Sequence, residues 1–369
     1  MKKMKRYFLL VTAAMLLGAC NSETDETEGG YVPSGEAIAF EANEVGSMTR
    51  AGGEITTDAL KNLSFGFGVF ACYTGKDAYE NVTVSSDFMY NQQVKWVSSA
   101  WTYAPVKYWS NNAVDRISFF AYAPYQAEPD GSRCIAEFSK EDDLGDPWLV
   151  YKLAQDPWSV TNGQTDLLYG VNNATGLPWY DQQKSSYDVN KKIEFTFKHA
   201  LACIGDVITV QMDNELNTKI AGYATITFKK LVIEYTNLTS KARLVLNSRN
   251  SPNWKSIVSG DVTTTRTYTK MASFLLTTDA QTISEGDGLF YIPLQVSTDK
   301  QQAVITVYYI VNNGISDYEG QASKTINLSE KVGEKEGLSL ILTKDLDLAH
   351  VVYSLSTEPA TEPSYVRKR

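Results

Sequence analysis

From residue 50 onward the chain runs in short stretches of Val, Ile, Thr, Phe and Tyr that alternate with polar residues and stop at Gly, Asn, Asp or Pro. A period of two is the repeat of a β-strand, and it constrains the fold more than any other feature. In Ile193-Glu-Phe-Thr-Phe-Lys-His199, for example, Ile193, Phe195 and Phe197 share one face and Glu194, Thr196 and Lys198 the other. That is a strand with one side on a core and one side wet. Similar runs predict strands at 63–73, 103–109, 116–122, 165–170, 204–212, 224–235, 242–246, 290–296, 303–311 and 338–343. Sustained helical heptads are absent, and only Thr57–Leu63 and Pro252–Ile257 suit a turn or two of helix. The expected class is therefore all-β with little helix, built as sandwiches or barrels.

At 369 residues the chain is long enough for two domains. With 22 Tyr, 14 Phe and 7 Trp it has ample material for their cores. The turn-rich stretch Asn172–Asn190 predicts a boundary near residue 190, giving sandwiches over 51–189 and 190–348. Six tryptophans precede that point and only Trp254 follows it, so the halves are not close sequence repeats.

The formal charge of −9 gives no electrostatic attraction to nucleic acid. With two histidines, His199 and His350, far apart in sequence, neither a multi-histidine metal site nor a histidine-based catalytic pair is expected. No cofactor is implied. The acidic run Glu141-Asp-Asp143 with Asp146 lacks the ordered ligand spacing of a calcium loop and reads as a solvated turn. Asp142 and Asp166 belong to no hydrolase motif, so no enzymatic activity is expected. Cys72 and Cys203 sit in apolar runs and are expected to pack as small hydrophobes. Whether Cys72, Cys134 and Cys203 include a disulfide pair is not legible from spacing.

The N-terminus carries a processing signal. Lys2, Lys3, Lys5 and Arg6 precede an eleven-residue apolar stretch, Tyr7–Leu17, and then Leu17-Gly-Ala-Cys20. Such a stretch is too short to span a bilayer as a helix and reads as a bacterial lipoprotein signal peptide, residues 1–19, with Cys20 as the lipidated (palmitate-bearing) first mature residue. Residues 21–30 hold four acids and no base and form a tether.

Several segments, in order, resemble the fimbrillin (FimA/Mfa-like) family. They are Glu36-Ala-Ile-Ala-Phe-Glu-Ala-Asn43 leading to Met48-Thr-Arg-Ala51, Phe67-Gly-Val-Phe-Ala-Cys-Tyr73, Trp101-Thr-Tyr-Ala-Pro-Val-Lys-Tyr-Trp109, Ile117-Ser-Phe-Phe-Ala-Tyr-Ala-Pro124, Asp166-Leu-Leu-Tyr-Gly170, Phe197-Lys-His-Ala-Leu201 and Gly337-Leu-Ser-Leu-Ile-Leu342. Together they cover almost the whole chain. The resemblance implies two consecutive transthyretin-like β-sandwich domains in a type V pilus subunit, which would act in cell adhesion. It implies export as a lipoprotein by the lipoprotein export machinery, anchoring of the precursor in the outer membrane, and a cell-surface, fimbrial location. An arginine-specific protease would cut between Arg50 and Ala51, releasing residues 20–50 as a propeptide, and other pilus subunits would be the partners.

Within that propeptide, Ile38, Phe40 and Ala42 alternate with Ala39, Glu41 and Asn43 and can supply a removable strand to the first sandwich. The resemblance also makes the C-terminal segment, 349–369, the donor strand for a neighbour. Val351, Tyr353 and Leu355 share a face there and are the expected inserting residues, although the same segment also suits the last strand of the second sandwich. A rival reading is a monomeric surface lipoprotein that binds host or microbial glycans or proteins through Trp158, Trp179 and Tyr180, aromatics beside prolines on expected loops.

Overall fold

The computed structural model describes residues 31–43, 57–62, 66–130, 134–154, 163–184, 192–249, 251–257, 263–285, 288–294, 301–328 and 335–354. Nearly all of the regular structure is β, as expected. The largest sheet runs β2 (Phe40–Asn43), β12 (Ile193–His199), β10 (Leu168–Val171), β7 (Arg116–Ala123), β3 (Phe67–Gly75), β4 (Met89–Val97) and β5 (Ala100–Thr102), with β11 (Trp179–Gln182) also pairing with β7. A ribbon of β1 (Pro33–Ala37) and β6 (Tyr108–Ser110) lies apart from it.

The central strands of this sheet are buried on both faces, and this explains why they read as continuous apolar runs rather than clean alternations. In β3, Phe67, Val69 and Ala71 enter one core while Phe70 and Cys72 enter another. In β7, Ile117, Phe119, Ala121 and Ala123 join the first core, and Phe120 and Tyr122 the second. The first core includes Ile38, Phe40, Ala42, Trp101 and Trp109. The second is completed by a sheet of β16 (Asn253–Lys255), β15 (Lys241–Val245), β9 (Trp148–Lys152) and β8 (Ile135–Phe138), contributing Leu149, Tyr151, Leu244 and Trp254 among others.

The other sandwich is made of two sheets. One is β18 (Gln281–Glu285), β13 (Ala202–Met212), β22 (Lys335–Leu342) and β23 (Leu348–Ser354), with β19 (Leu289–Tyr291) also on β13. The second is β17 (Thr263–Leu275), β14 (Thr225–Thr239), β20 (Gln302–Asn312) and β21 (Asp317–Asn327).

The two units interlock. β12 follows the turn-rich stretch that suggested the boundary at 190, yet it pairs with β10 and β2 in the first sheet. After β14 the chain passes through Ser240 straight into β15, which leaves the second sandwich and pairs antiparallel with β9. The amide of Leu153 donates to the Ser240 carbonyl at 2.9 Å at that crossing. The second core consequently runs through both units without a break.

Helix is confined to short pieces. α1 (Thr57–Asn62) lies where a helical turn was expected. α2 (Asn214–Ile220) is capped by Asp213, whose carboxylate accepts from the Leu216 amide. Pro252–Ile257, expected as helix, instead contains β16. Trp254 decides this, because pairing with β15 buries its ring and lets its Nε1 donate to the Ala200 carbonyl at 2.8 Å. Cys72, Cys134 and Cys203 are free and buried, and burial pushes the Cys72 thiol up to about 11.

Candidate assembly groove

The N-terminal segment Tyr31–Asn43 docks on the first sandwich in two places. Upstream, β1 pairs with β6, with Pro33 opposite Ser110 and Ala37 opposite Tyr108. The Asn111 amide donates to the Val32 carbonyl at 2.6 Å, and the Tyr31 ring stands edge-on to Tyr73 and Phe88 at 5.4 and 5.1 Å. Downstream, β2 forms the edge of the large sheet by a parallel pairing with β12, with Phe40 opposite Ile193 and Ala42 opposite Phe195.

Phe40 and Ala42 on β2 are 2% and 3% exposed, and Ile38, in the connection between β1 and β2, is 1% exposed, so this segment is also part of the core. The expected inward face is the observed one. Phe40 occupies a socket of aromatic rings: it stacks on Phe195 and meets Phe67, Phe119 and Tyr103 edge-on at 6.5, 5.9 and 5.3 Å. Around it the backbone is fixed by Ile38 N–H to the Lys107 carbonyl at 2.9 Å, the Tyr103 hydroxyl to the Ile38 carbonyl at 2.7 Å, and Ile193 N–H to the Ala39 carbonyl at 2.8 Å. Burial raises the Tyr103 hydroxyl to about 12, so it stays a neutral donor. At the rim, Lys192 pairs with Glu41 at 2.7 Å and Lys184 with Glu36 at 3.4 Å. These partly exposed pairs add little energy but orient the segment.

The socket residues Tyr103, Phe119 and Phe195 and the rim lysines were not singled out from sequence as a site. Phe195 was legible as an inward residue of its strand, but nothing local shows that this strand neighbours residues 40–43.

At the opposite end of the chain, β23 is the edge strand of its sheet, antiparallel to β22 from Leu342 opposite Leu348 to Glu336 opposite Ser354. Val351 and Tyr353 lie on it, and Leu355 is outside the described residues, as are Cys20, Arg50 and Ala51. Trp158 also lies outside them. Trp179 and Tyr180 sit in β11 and are engaged in packing. The Trp179 Nε1 donates to the Glu194 carbonyl at 3.0 Å, and the Tyr180 ring lies 5.3 Å from Tyr79 and 5.6 Å from Phe120.

His199 holds the fully buried Asp166 at 2.7 Å, at the end of β12. Asp146, of the acidic run, accepts from the Tyr79 hydroxyl and from Asn247 Nδ2, and so ties the 140s loop to the turn that follows β15. Among the described residues no group of three or more His, Cys, Asp or Glu is placed to hold a metal ion.

Fold and groove together define an all-β, two-sandwich chain whose first sheet is closed by its own N-terminal segment. No family model matches the chain. It is 28% identical over 203 residues to the fimbrium subunit Fim1C of Phocaeicola vulgatus, covering 52% of this chain and 51% of that one. The match thus spans about half the length of the curated relative. A fimbrial protein from Bacteroides vulgatus has a similar fold, with a TM-score of 0.64 over 86% of this chain and 99% of that one, at 21% identity. The chain is thus similar in fold to a fimbrial protein along most of its length and in sequence to a fimbrium subunit along about half of it.

Proposed function

We propose that the chain is a structural, non-catalytic subunit of a cell-surface fimbrium, acting in adhesion. It is exported as a lipoprotein on Cys20 and polymerises by donor-strand exchange once a protease cuts Arg50–Ala51. One observation carries the reading: the three most buried side chains of the N-terminal segment, Phe40 and Ala42 on the edge strand β2 and Ile38 just before it, all lie upstream of Arg50.

While that strand is covalently attached, its effective concentration at its own groove is on the order of mM, and a neighbour's strand competes poorly. Cutting removes the advantage. A second copy's C-terminal segment then replaces the lost backbone pairing along β12 and fills the sockets. Burial of three such side chains at roughly 1.5–3 kcal/mol each contributes a gross ~5–9 kcal/mol before ordering costs, enough for slow dissociation. Because β23 is an edge strand, its backbone ladder is with β22, and that ladder has to open to release the donor. Cleavage also separates the subunit from the lipid on Cys20, so the lipid anchors the precursor in the outer membrane.

The test is to treat purified precursor with an arginine-specific protease. Ala51 should become the new N-terminus, and oligomers that survive mild detergent should follow. Cleavage at Ala51 that leaves only monomers would overturn the reading. Among the described residues, Trp179 donates to the Glu194 carbonyl and Tyr180 packs on Phe120, and these contacts support the structural reading over the glycan-binding alternative.

A further inference from the structure

The groove restricts what can replace the segment. Moving along Ile38, Phe40 and Ala42 it takes a branched aliphatic, an aromatic and a small side chain, and nine residues before Phe40 it takes a second aromatic, Tyr31, in the socket of Tyr73 and Phe88. Read from its C-terminal side backwards, the donor segment matches this order: Leu355, Tyr353 and Val351 fall in the places of Ile38, Phe40 and Ala42. Tyr365-Val366 then lies on the same side of Tyr353 as Tyr31-Val32 lies of Phe40.

Read forwards, the same segment brings Leu355, larger than Val351, to the site of the small buried Ala42, and carries Tyr365 away from the Tyr31 socket. On the donor-strand reading above, we infer that a second copy's Val351–Val366 docks antiparallel to Ile193–His199. Tyr353 lies opposite Ile193, Val351 opposite Phe195, and Tyr365 enters the Tyr31 socket.

Further points agree with this direction. An antiparallel ladder is slightly more stable per residue than the parallel one that β2 makes, so exchange runs downhill in backbone pairing. Tyr365 is twelve positions from Tyr353 against nine from Tyr31 to Phe40, so the reach suffices. In either direction Tyr353 takes the Phe40 site, beside the Tyr103 hydroxyl, which also has the Lys107 carbonyl as an acceptor.

Direction and register are read by cysteine pairs in the full chain. Glu194 lies opposite Glu41, a place taken by Val352 in the antiparallel register and by Ser354 in the parallel one. After proteolysis and oxidation, Glu194→Cys with Val352→Cys should give disulfide-linked ladders, and Glu194→Cys with Ser354→Cys should give at least tenfold less. In the otherwise native chain, Tyr365→Ala should shorten the lifetime of polymers in mild detergent about tenfold, and Tyr365→Phe should not. Ladders from the Ser354 pair, polymers linked by neither pair, or an unchanged lifetime for Tyr365→Ala would overturn this inference and leave donor-strand exchange standing. Absence of polymers from the cleaved native chain would overturn both.

Discussion

The rings of Phe40 and Phe195 lie stacked, 6.1 Å between centroids and 18° between planes, and they join the N-terminal segment to the strand that opens the second half of the sequence. Truncating Phe40 removes one of the two rings of that contact. Phe40→Ala should lower the unfolding free energy of the precursor by about 3–5 kcal/mol, measured by denaturant titration. Hydrogen exchange at the β2 amides should rise with it. A change below about 0.5 kcal/mol would mean that the segment is not integral to the fold.

The same contact depends on Gly170. A Cβ there would stand 2.8 Å from a Phe195 ring carbon and 2.9 Å from the Ala121 Cβ, closer than packed carbons approach. Gly170→Val should destabilise the precursor by about 1–3 kcal/mol through overpacking. It should also speed loss of the N-terminal peptide after nicking, followed by size exclusion and mass spectrometry.

The passage of β14 into β15 through Ser240 makes the two sandwiches one cooperative unit. Tryptophan fluorescence, which reports mainly the first half, and far-ultraviolet circular dichroism should therefore show coincident thermal transitions. Leu244→Ala, in a fully buried position of β15, should lower both together by about 2–5 kcal/mol. Residues 1–200 expressed alone should not reach a native state, because β8 and β9 would lack β15 and β16.

Alkaline pH should unfold the protein. Burial raises Tyr151 and Tyr235 well above the ordinary tyrosine value, Tyr103 to about 12 and Cys72 to about 11. In each case the fold favours the neutral form. The stability they contribute is complete below their unfolded values, near 9 for the thiol and 10 for the phenols, and is lost as pH rises beyond them. The urea midpoint should hold to about pH 9 and fall by pH 11, and Tyr235→Phe should flatten the fall. A midpoint independent of pH to 11 would contradict this assignment.

The sequence by itself determined the strand type, the short helix at α1, and the inward set Ile38, Phe40 and Ala42. All of these follow from local periodicity, since a period of two assigns faces without knowledge of what lies beyond them. Which strand neighbours which was decided only by the tertiary structure. β12 returned to the first sheet across the expected boundary, β15 crossed between the sandwiches, and Trp254 drew its segment into a strand. Backbone pairing between distant segments is chosen by the fit of whole faces, and no single run of residues carries that information. The socket of Phe40 belongs to this second kind, because its walls come from four separate strands and loops that meet only when the sheet closes.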